Sequence, residues 1–339
     1  MGGDHMSFTV LRKGFYTTVQ DLGRHGYRQY GVVRSGAMDS FAMQAANLLV
    51  GNERNAAVLE ATLLGPKLRC ERSVLVAVCG GEAEMLVNGN PAPLWRPVLL
   101  AAGDVLQFGV MRSGCRLYIA AAGGVDVPEA MGSRSTYVRA GIGGYKGRAL
   151  QDGDVLELGT PSTLAQQLEA GGRTSWGVSP YARPAYNTSP VIRVMRGAQY
   201  DCFTEESKRQ FFNGSFQVTA ASDRMGYRLE GRALTLQEPL ELLSEAVTFG
   251  TVQVPPEGKP IVLMADCQTT GGYPKLAAVA TVDLPLLAQV KPGESVRFQE
   301  IAVEEAQRLL QEQEQALKEL ETGIKLKGRS QHAVCGFEL

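Results

Sequence analysis

Short apolar runs, broken by glycine, proline and Asn/Asp, set the rhythm of this chain. Runs of four to eight residues with period-two alternation predict strands. One set falls at 74–78, 85–87, 98–100, 105–108, 116–120 and 155–158, and a second at 191–194, 216–219, 247–254, 261–264, 277–282 and 296–298. Many short strands with turn residues between them point to sandwiches or barrels, so the expected fold class is mainly β. A six-residue element recurs at 103–108, 153–158 and 293–298: glycine, acid, any residue, apolar, polar, apolar. Each copy reads as a turn feeding an alternating strand. The irregular spacing argues against a solenoid, but the copies suggest one β architecture used twice.

Helical periodicity is confined to a few places. Residues 40–50 carry an apolar stripe, preceded by Ser35-Gly-Ala-Met-Asp39 and closed by Gly51-Asn52, which are start and stop signals. Residues 162–170 fit a helical turn. Over 303–320, Val303, Ala306, Leu310, Leu317 and Leu320 recur at spacings built from three and four, interrupted by Gln313. This predicts a C-terminal helix lying on its own domain, or alternatively one offered to a partner chain. The stretch 160–190 holds Pro161, Pro180, Pro184, Pro190 and Gly171-Gly172. The expected organisation is therefore a domain over 7–170, a linker over 171–190, a second domain over 191–300 and a helical tail over 301–339. Residues 1–6 read as a vector-derived leader, without the apolar core of a signal peptide.

Composition narrows the function classes. With 339 residues, 44% hydrophobic and 20% charged, the chain has the make-up of a globular protein. A net charge of −1 gives no reason to expect nucleic acid or an anionic membrane as partner, and no apolar run reaches the roughly 20 residues that span a bilayer. Cys70, Cys79, Cys115, Cys202, Cys267 and Cys335 form no C-x-x-C pair, and His5, His25 and His332 lie far apart. No metal site is expected from these. The cysteines read as reduced, which fits the cytoplasm.

The densest chemistry follows the apolar run 261–264. Asp266, Gln268, Thr269, Thr270, Gly271, Gly272, Tyr273 and Lys275 fall within ten residues. Paired glycines permit close backbone approach to a ligand, the amide and hydroxyls hydrogen-bond, and the lysine brings a mobile charge. The segment suits an anionic or amide-like small molecule; the plainer reading is a hairpin with a polar turn. Arg224 and Tyr227 flank Gly226, and an arginine there suits a carboxylate or phosphate. Arg139, Gly143, Gly144, Lys146 and Arg148 form a glycine-rich basic stretch, a candidate anion site or a basic surface loop, and neither a Walker nor a Rossmann motif. Asp21, Arg24 and His25 either share a site or make a structural ion pair around a glycine turn.

Five motifs in order, Thr17-Thr-Val-Gln-Asp-Leu-Gly-Arg-His-Gly26, Ser35-Gly-Ala-Met-Asp39, Ala46-Asn-Leu-Leu-Val-Gly-Asn52, Asp223-Arg-Met-Gly-Tyr-Arg-Leu229 and Gln268-Thr-Thr-Gly-Gly-Tyr-Pro-Lys275, closely resemble the PxpC/KipA family, also called allophanate hydrolase subunit 2-like or biotin-dependent carboxyltransferase-like. The resemblance runs from about residue 8 to residue 300. It implies two cyclophilin-like β-barrel domains and one of three roles. The first is a subunit of ATP-dependent 5-oxoprolinase, opening 5-oxoproline to L-glutamate with PxpA- and PxpB-like partners. The second is a KipA-type regulator that binds and antagonises a KipI-like kinase inhibitor. The third is the carboxyltransferase part of a biotin-dependent urea carboxylase-like enzyme. The chain carries no Met-Lys-Met biotin-accepting segment and no ATP-binding motif, so ATP and Mg2+ are expected at the level of a complex, and the chain alone is expected to be inactive. Under this reading Lys275, Asp266 and Gln268 are the catalytic candidates: Lys275 and the amides of Gly271 and Gly272 face developing negative charge, and Asp266 binds magnesium or acts as acid/base. Arg224, Tyr227 and residues 269–273 hold the substrate.

Overall fold

The computed structural model describes residues 6–171 and 176–335, with side chains described to residue 328. Residues 1–5 of the expected leader, 172–175 of the expected linker and 336–339 of the tail lie outside the described residues. The chain forms two compact units. One is built from Met1–Gly23, Asp39–Arg183 and Glu314–Leu339, the other from Arg24–Met38 and Pro184–Gln313.

The architecture is mainly β, as the run lengths predict. In the first unit, six strands form one antiparallel sheet in the order Val155–Glu157, Ser7–Arg12, Lys67–Cys70, Val105–Phe108, Met85–Val87 and Asn90–Pro91. Five more form a second sheet in the order Tyr16–Gln20, Val58–Thr62, Ser113–Ala121, Val74–Glu82 and Pro97–Leu100. The strand Val74–Glu82 is buried along eight successive residues, so it reads as a continuous apolar run rather than an alternating one. The helix Ser40–Leu49 begins where Asp39 Oδ1 accepts a hydrogen bond from the Ala42 amide at 2.9 Å. It ends at Gly51, whose φ of 75° and position 2.7 Å (by an added Cβ) from the Ala165 nitrogen admit only glycine. Ser162 caps the helix Thr163–Ala170 in the same way.

In the second unit seven strands close a barrel in the order Val191–Arg196, Lys275–Val279, Thr251–Gln253, Ile261–Leu263, Gly226–Glu230, Phe216–Val218 and Ser295–Glu300. Closure comes from the parallel pairing of the first and last strands, Val191 opposite Arg297 through Val194 opposite Glu300. The helix Glu205–Asn213 plugs the barrel with Phe211, whose ring stacks on Phe298 at 4.5 Å and lies 6.0 Å from Phe216. Burying each such ring contributes about 2 kcal/mol. The helix expected over 303–320 extends further, Val303–Cys335.

The recurring glycine–acid element has one physical explanation in all three places. Gly103, Gly153 and Gly293 are left-handed, at φ 88°, 85° and 92°. The following acid folds back onto the amide three residues before it: Asp104 Oδ2 on Ala101 at 2.8 Å, Asp154 Oδ2 on Gln151 at 2.7 Å and Glu294 Oε2 on Lys291 at 2.8 Å. The glycine supplies the turn and the carboxylate locks it.

Candidate functional site

The loop after Ile261–Leu263 is assembled by a two-residue ribbon. Glu245–Ala246 pairs with Thr270–Gly271, Glu245 opposite Gly271, and the Val247 amide donates to the Thr269 carbonyl at 3.1 Å. This ribbon brings Glu245 to Lys275, whose Nζ donates to Glu245 Oε2 at 2.9 Å. Lys275 is 7% exposed although it opens a strand. Its backbone amide donates to Gln199 Oε1 at 3.0 Å. The lysine holds the Glu245 carboxyl below its usual range, with a hydrogen bond from Gln199 adding to the effect.

Gln253 joins this group from the neighbouring strand, in register with Lys275. It is buried, and its Oε1 has no hydrogen-bond partner among the described residues. Gly271 lies against it: a Cβ added there would stand 3.1 Å from Gln253 Oε1 and 3.7 Å from Gln268 Nε2. Neither Gly271 nor Gly272 is left-handed; at Gly271 the close approach of Gln253 and Val247 leaves no room for a side chain, whereas Gly272 meets its neighbours only at ordinary contact distance. On the other side of the loop, Gly272, Tyr273 and Pro274 form one wall of a groove of about 750 Å³, completed by segments 233–242 and 254–258 and by Phe203.

The remaining candidates from the sequence go elsewhere. Asp266 and Arg224 form a buried bidentate pair at 2.9 and 3.1 Å, and Arg224 Nη2 also donates to the Gly36 carbonyl at 2.6 Å. The preceding Asp223 makes the turn that aims Arg224, accepting from the Met225 amide at 2.8 Å. Both oxygens of Asp266 therefore face a guanidinium, and among the described residues no three His, Cys, Asp or Glu side chains are grouped to hold a metal. Tyr227 is in the barrel interior, its hydroxyl 3.4 Å from the Ala288 carbonyl. Cys267 is buried beside Arg28, and burial pushes its thiol up, away from the reactive thiolate.

In the first unit, Asp21 is a buried staple. Its oxygens accept from Ser133 Oγ at 2.7 Å, Ser135 Oγ at 2.5 Å and the amides of Gly23 and Arg134 at 2.8 and 2.6 Å. Arg24 belongs to the other unit, where its amide donates to Arg34, and His25 is exposed. Around Gly143 and Gly144, Arg148 is committed to Asp154 through two bonds of 2.7 Å. Lys146 lies 5.0 Å from the Tyr145 ring centre, and Arg139 is exposed. The adjoining hollow of about 590 Å³ is also lined by Asp126, Glu129 and Glu157, so its charge is mixed.

Sequence reasoning finds Lys275, Gln268 and the two glycines but not Gln199, Glu245 or Gln253. No local signal marks Gln253, because Thr251-Val252-Gln253-Val254 reads as an ordinary polar–apolar alternation and only the structure shows both polar residues buried.

Known proteins carry the same frame. The chain is 38% identical to a 5-oxoprolinase subunit of Haemophilus influenzae over 88% of its own length and 92% of that protein's. It is 39% identical to the corresponding 5-oxoprolinase subunit of Escherichia coli over 92% and 96%. The solved Kluyveromyces lactis urea carboxylase superposes at a TM-score of 0.86 with 32% identity, covering 96% of this chain. This chain spans only 30% of that longer one. The family model for the carboxyltransferase domain, subdomain A and B, matches residues 30–300, and the chain is a member of that family.

Proposed function

We propose that this chain is the PxpC-type subunit of an ATP-dependent 5-oxoprolinase, a hydrolase complex that opens a cyclic amide to L-glutamate. The observation that carries the reading is near end-to-end similarity, at 38–39% identity, to two proteins named as subunits of 5-oxoprolinase. The site supports it chemically. A lactam is a poor electrophile, and opening it develops negative charge that needs a cation and fixed donors. Lys275 is such a cation, held in place by the exposed Glu245 and by its backbone bond to Gln199. Asp266 has both oxygens on Arg224 and is therefore given no magnesium in this reading. ATP with its Mg2+ belongs to PxpA- and PxpB-like partners, in a complex working in the cytoplasm, in keeping with five described cysteines that form no disulfide.

A second reading rests on the urea carboxylase similarity: the same frame serving as a carboxyltransferase with a biotin carrier on another chain. Reconstitution decides between them. The chain with both partners should convert 5-oxoproline to glutamate with ATP, and the chain alone should not. Lys275→Met should lower turnover of the assembled enzyme by about 100-fold while the complex still forms. Full turnover by the isolated chain, or unchanged turnover after Lys275→Met, would refute this assignment of roles. Biotin-dependent carboxylation of urea with no action on 5-oxoproline would establish the second reading.

A further inference from the structure

The groove of about 750 Å³ beside Gly272-Tyr273-Pro274 has an apolar lining and a charge of one sign. Phe203, Leu234 and Val254 line it as buried residues, and Leu240 and Leu242 as more accessible ones. Its charged side chains are Glu238, Glu241 and Glu257, all exposed, with no lysine or arginine among them. None of the three carboxylates forms an ion pair among the described residues. Like charges gathered around an apolar hollow repel one another, and a cation brought in on a ligand relieves that repulsion. The backbone of one wall is equally unmet. Residues 238–244 are anchored at both ends: the Gln237 amide donates to the Cys202 carbonyl at 2.9 Å, and Glu245 pairs with Gly271. Between these anchors, residues 239–244 lie in no helix, strand or turn, and no backbone group of 238–244 is hydrogen-bonded among the described residues. The strand Glu245–Ala246 that follows belongs to a sheet of only two strands, so its other edge is open too. Leu243 stands 90% exposed in the same stretch. A run of unpaired amides and carbonyls beside an apolar hollow is a template for an added strand.

We propose that this groove docks an extended segment of a partner subunit, apolar at alternate positions and carrying lysine or arginine between them. Successive side chains of a strand point to opposite faces. One set fills the hollow between Leu240 and Tyr273, the docked backbone meets the unpaired groups of 238–244, and the basic residues lie against Glu238, Glu241 and Glu257. A carboxylate substrate is a poor occupant, because the groove offers it three like charges and no cation. The two sides of the loop thereby divide the work: Lys275 lies with Glu245 on one, and Gly272-Tyr273-Pro274 form a docking wall on the other. That the partner is a PxpB-like chain rests on the reading above, whereas the chemistry of the docked segment rests on the groove alone.

The test is the double variant Glu238→Lys, Glu241→Lys, titrated with a PxpB-like partner. The Kd should rise about 10-fold or more, and the weakening of the unaltered complex by salt should flatten in the variant. Both side chains are exposed and make no ion pair, so the thermal midpoint of the variant chain should not move. In the unaltered complex, amide hydrogen exchange at 240–244 should slow by about 10-fold or more. An unchanged Kd for the folded variant would overturn the proposal, and so would exchange at 240–244 that complex formation leaves as it was. Protection of 240–244 by 5-oxoproline without a partner would make the groove a substrate pocket. Self-association of the chain that the same substitutions abolish would give it to a second copy. Either result also overturns the proposal. Should the chain bind no PxpB-like protein, the 5-oxoprolinase reading fails, and two capped peptides decide the groove by itself. Ac-Leu-Lys-Leu-Lys-Leu-Lys-NH2 should slow exchange at 240–244 and bind about 10-fold more tightly than Ac-Leu-Glu-Leu-Glu-Leu-Glu-NH2. Equal binding of the two, or none, refutes the docking site.

Discussion

Two stretches of this chain look alike on paper, Gly141–Arg148 and Asp266–Lys275: both are rich in glycine and carry a cation or two. They use their glycines for opposite ends. In the first, Gly141, Gly143, Gly144 and Gly147 all have left-handed φ, and side chains at two of them would collide: an added Cβ at Gly144 meets Thr136 Oγ1 at 1.8 Å, and one at Gly147 meets the Gly141 carbonyl at 2.1 Å. Those glycines let the loop fold on itself, and Arg148 is spent on Asp154. In the second, the glycines have ordinary backbone angles and stand beside an unpaired amide and an open groove. Glycine count alone does not distinguish a loop whose backbone turns only with glycine from one that uses it to let neighbouring side chains approach closely. The dihedral and the nearest neighbour do.

The sharpest way to break this contrast is at the buried pair behind the second loop. Asp266→Asn leaves Arg224 charged and buried with its carboxylate gone, and should cost about 3–5 kcal/mol of stability by chemical denaturation. A loss under about 1 kcal/mol would return Arg224 and Asp266 to the set of residues able to serve a ligand. Next come the glycines themselves. Gly147→Ala should destabilise by about 2–4 kcal/mol, from the left-handed backbone and the collision together. Gly272→Ala, whose nearest neighbour is Ser244 Oγ at 3.5 Å, should shift stability by less than about 0.5 kcal/mol. Equal losses at the two positions would erase the distinction. The smallest effect concerns pH. Arg148 holds the Asp154 carboxyl below its ordinary value, so that pair stabilises the fold above about pH 4 and the contribution fades as pH falls through the depressed value. Arg148→Met should therefore cost about 1 kcal/mol at about pH 7 and progressively less below about pH 4, read as converging urea midpoints. A gap that stays constant down to about pH 2 would show that the ion pair is not what Arg148 contributes.

What the sequence reveals follows from how local each signal is. Helix caps at Asp39 and Ser162, and the glycine–acid turns at Gly103, Gly153 and Gly293, act within three residues and are legible directly. The strand Tyr16–Gln20 is hidden because Thr17, Thr18 and Gln20 are polar yet buried. Thr17 Oγ1, Thr18 Oγ1 and Gln20 Nε2 bond to backbone and side-chain partners that lie up to 116 residues away. The expected strand over 247–254 splits because Gly250 turns left-handed and Thr251 Oγ1 accepts from the Thr248 amide, which makes a corner of its middle. At the site, the loop is visible as a density of chemistry, while Gln199 and Glu245 reach Lys275 across 76 and 30 residues. Only the closed barrel places them there.

The parallel pairing of Val191–Arg196 with Ser295–Glu300 also governs how the protein is made. Because the opening strand of the barrel bonds to its closing strand, ring closure waits until ribosomal synthesis has passed residue 300. Until then Val191–Arg196 and Phe216–Val218, the two strands that receive Ser295–Glu300, are open edges, the state most exposed to mispairing between nascent chains. Completion of the barrel is therefore a late event in synthesis, and a chain cut short before Ser295 would carry Lys275, Gln199 and Glu245 without the strand that closes the barrel around them.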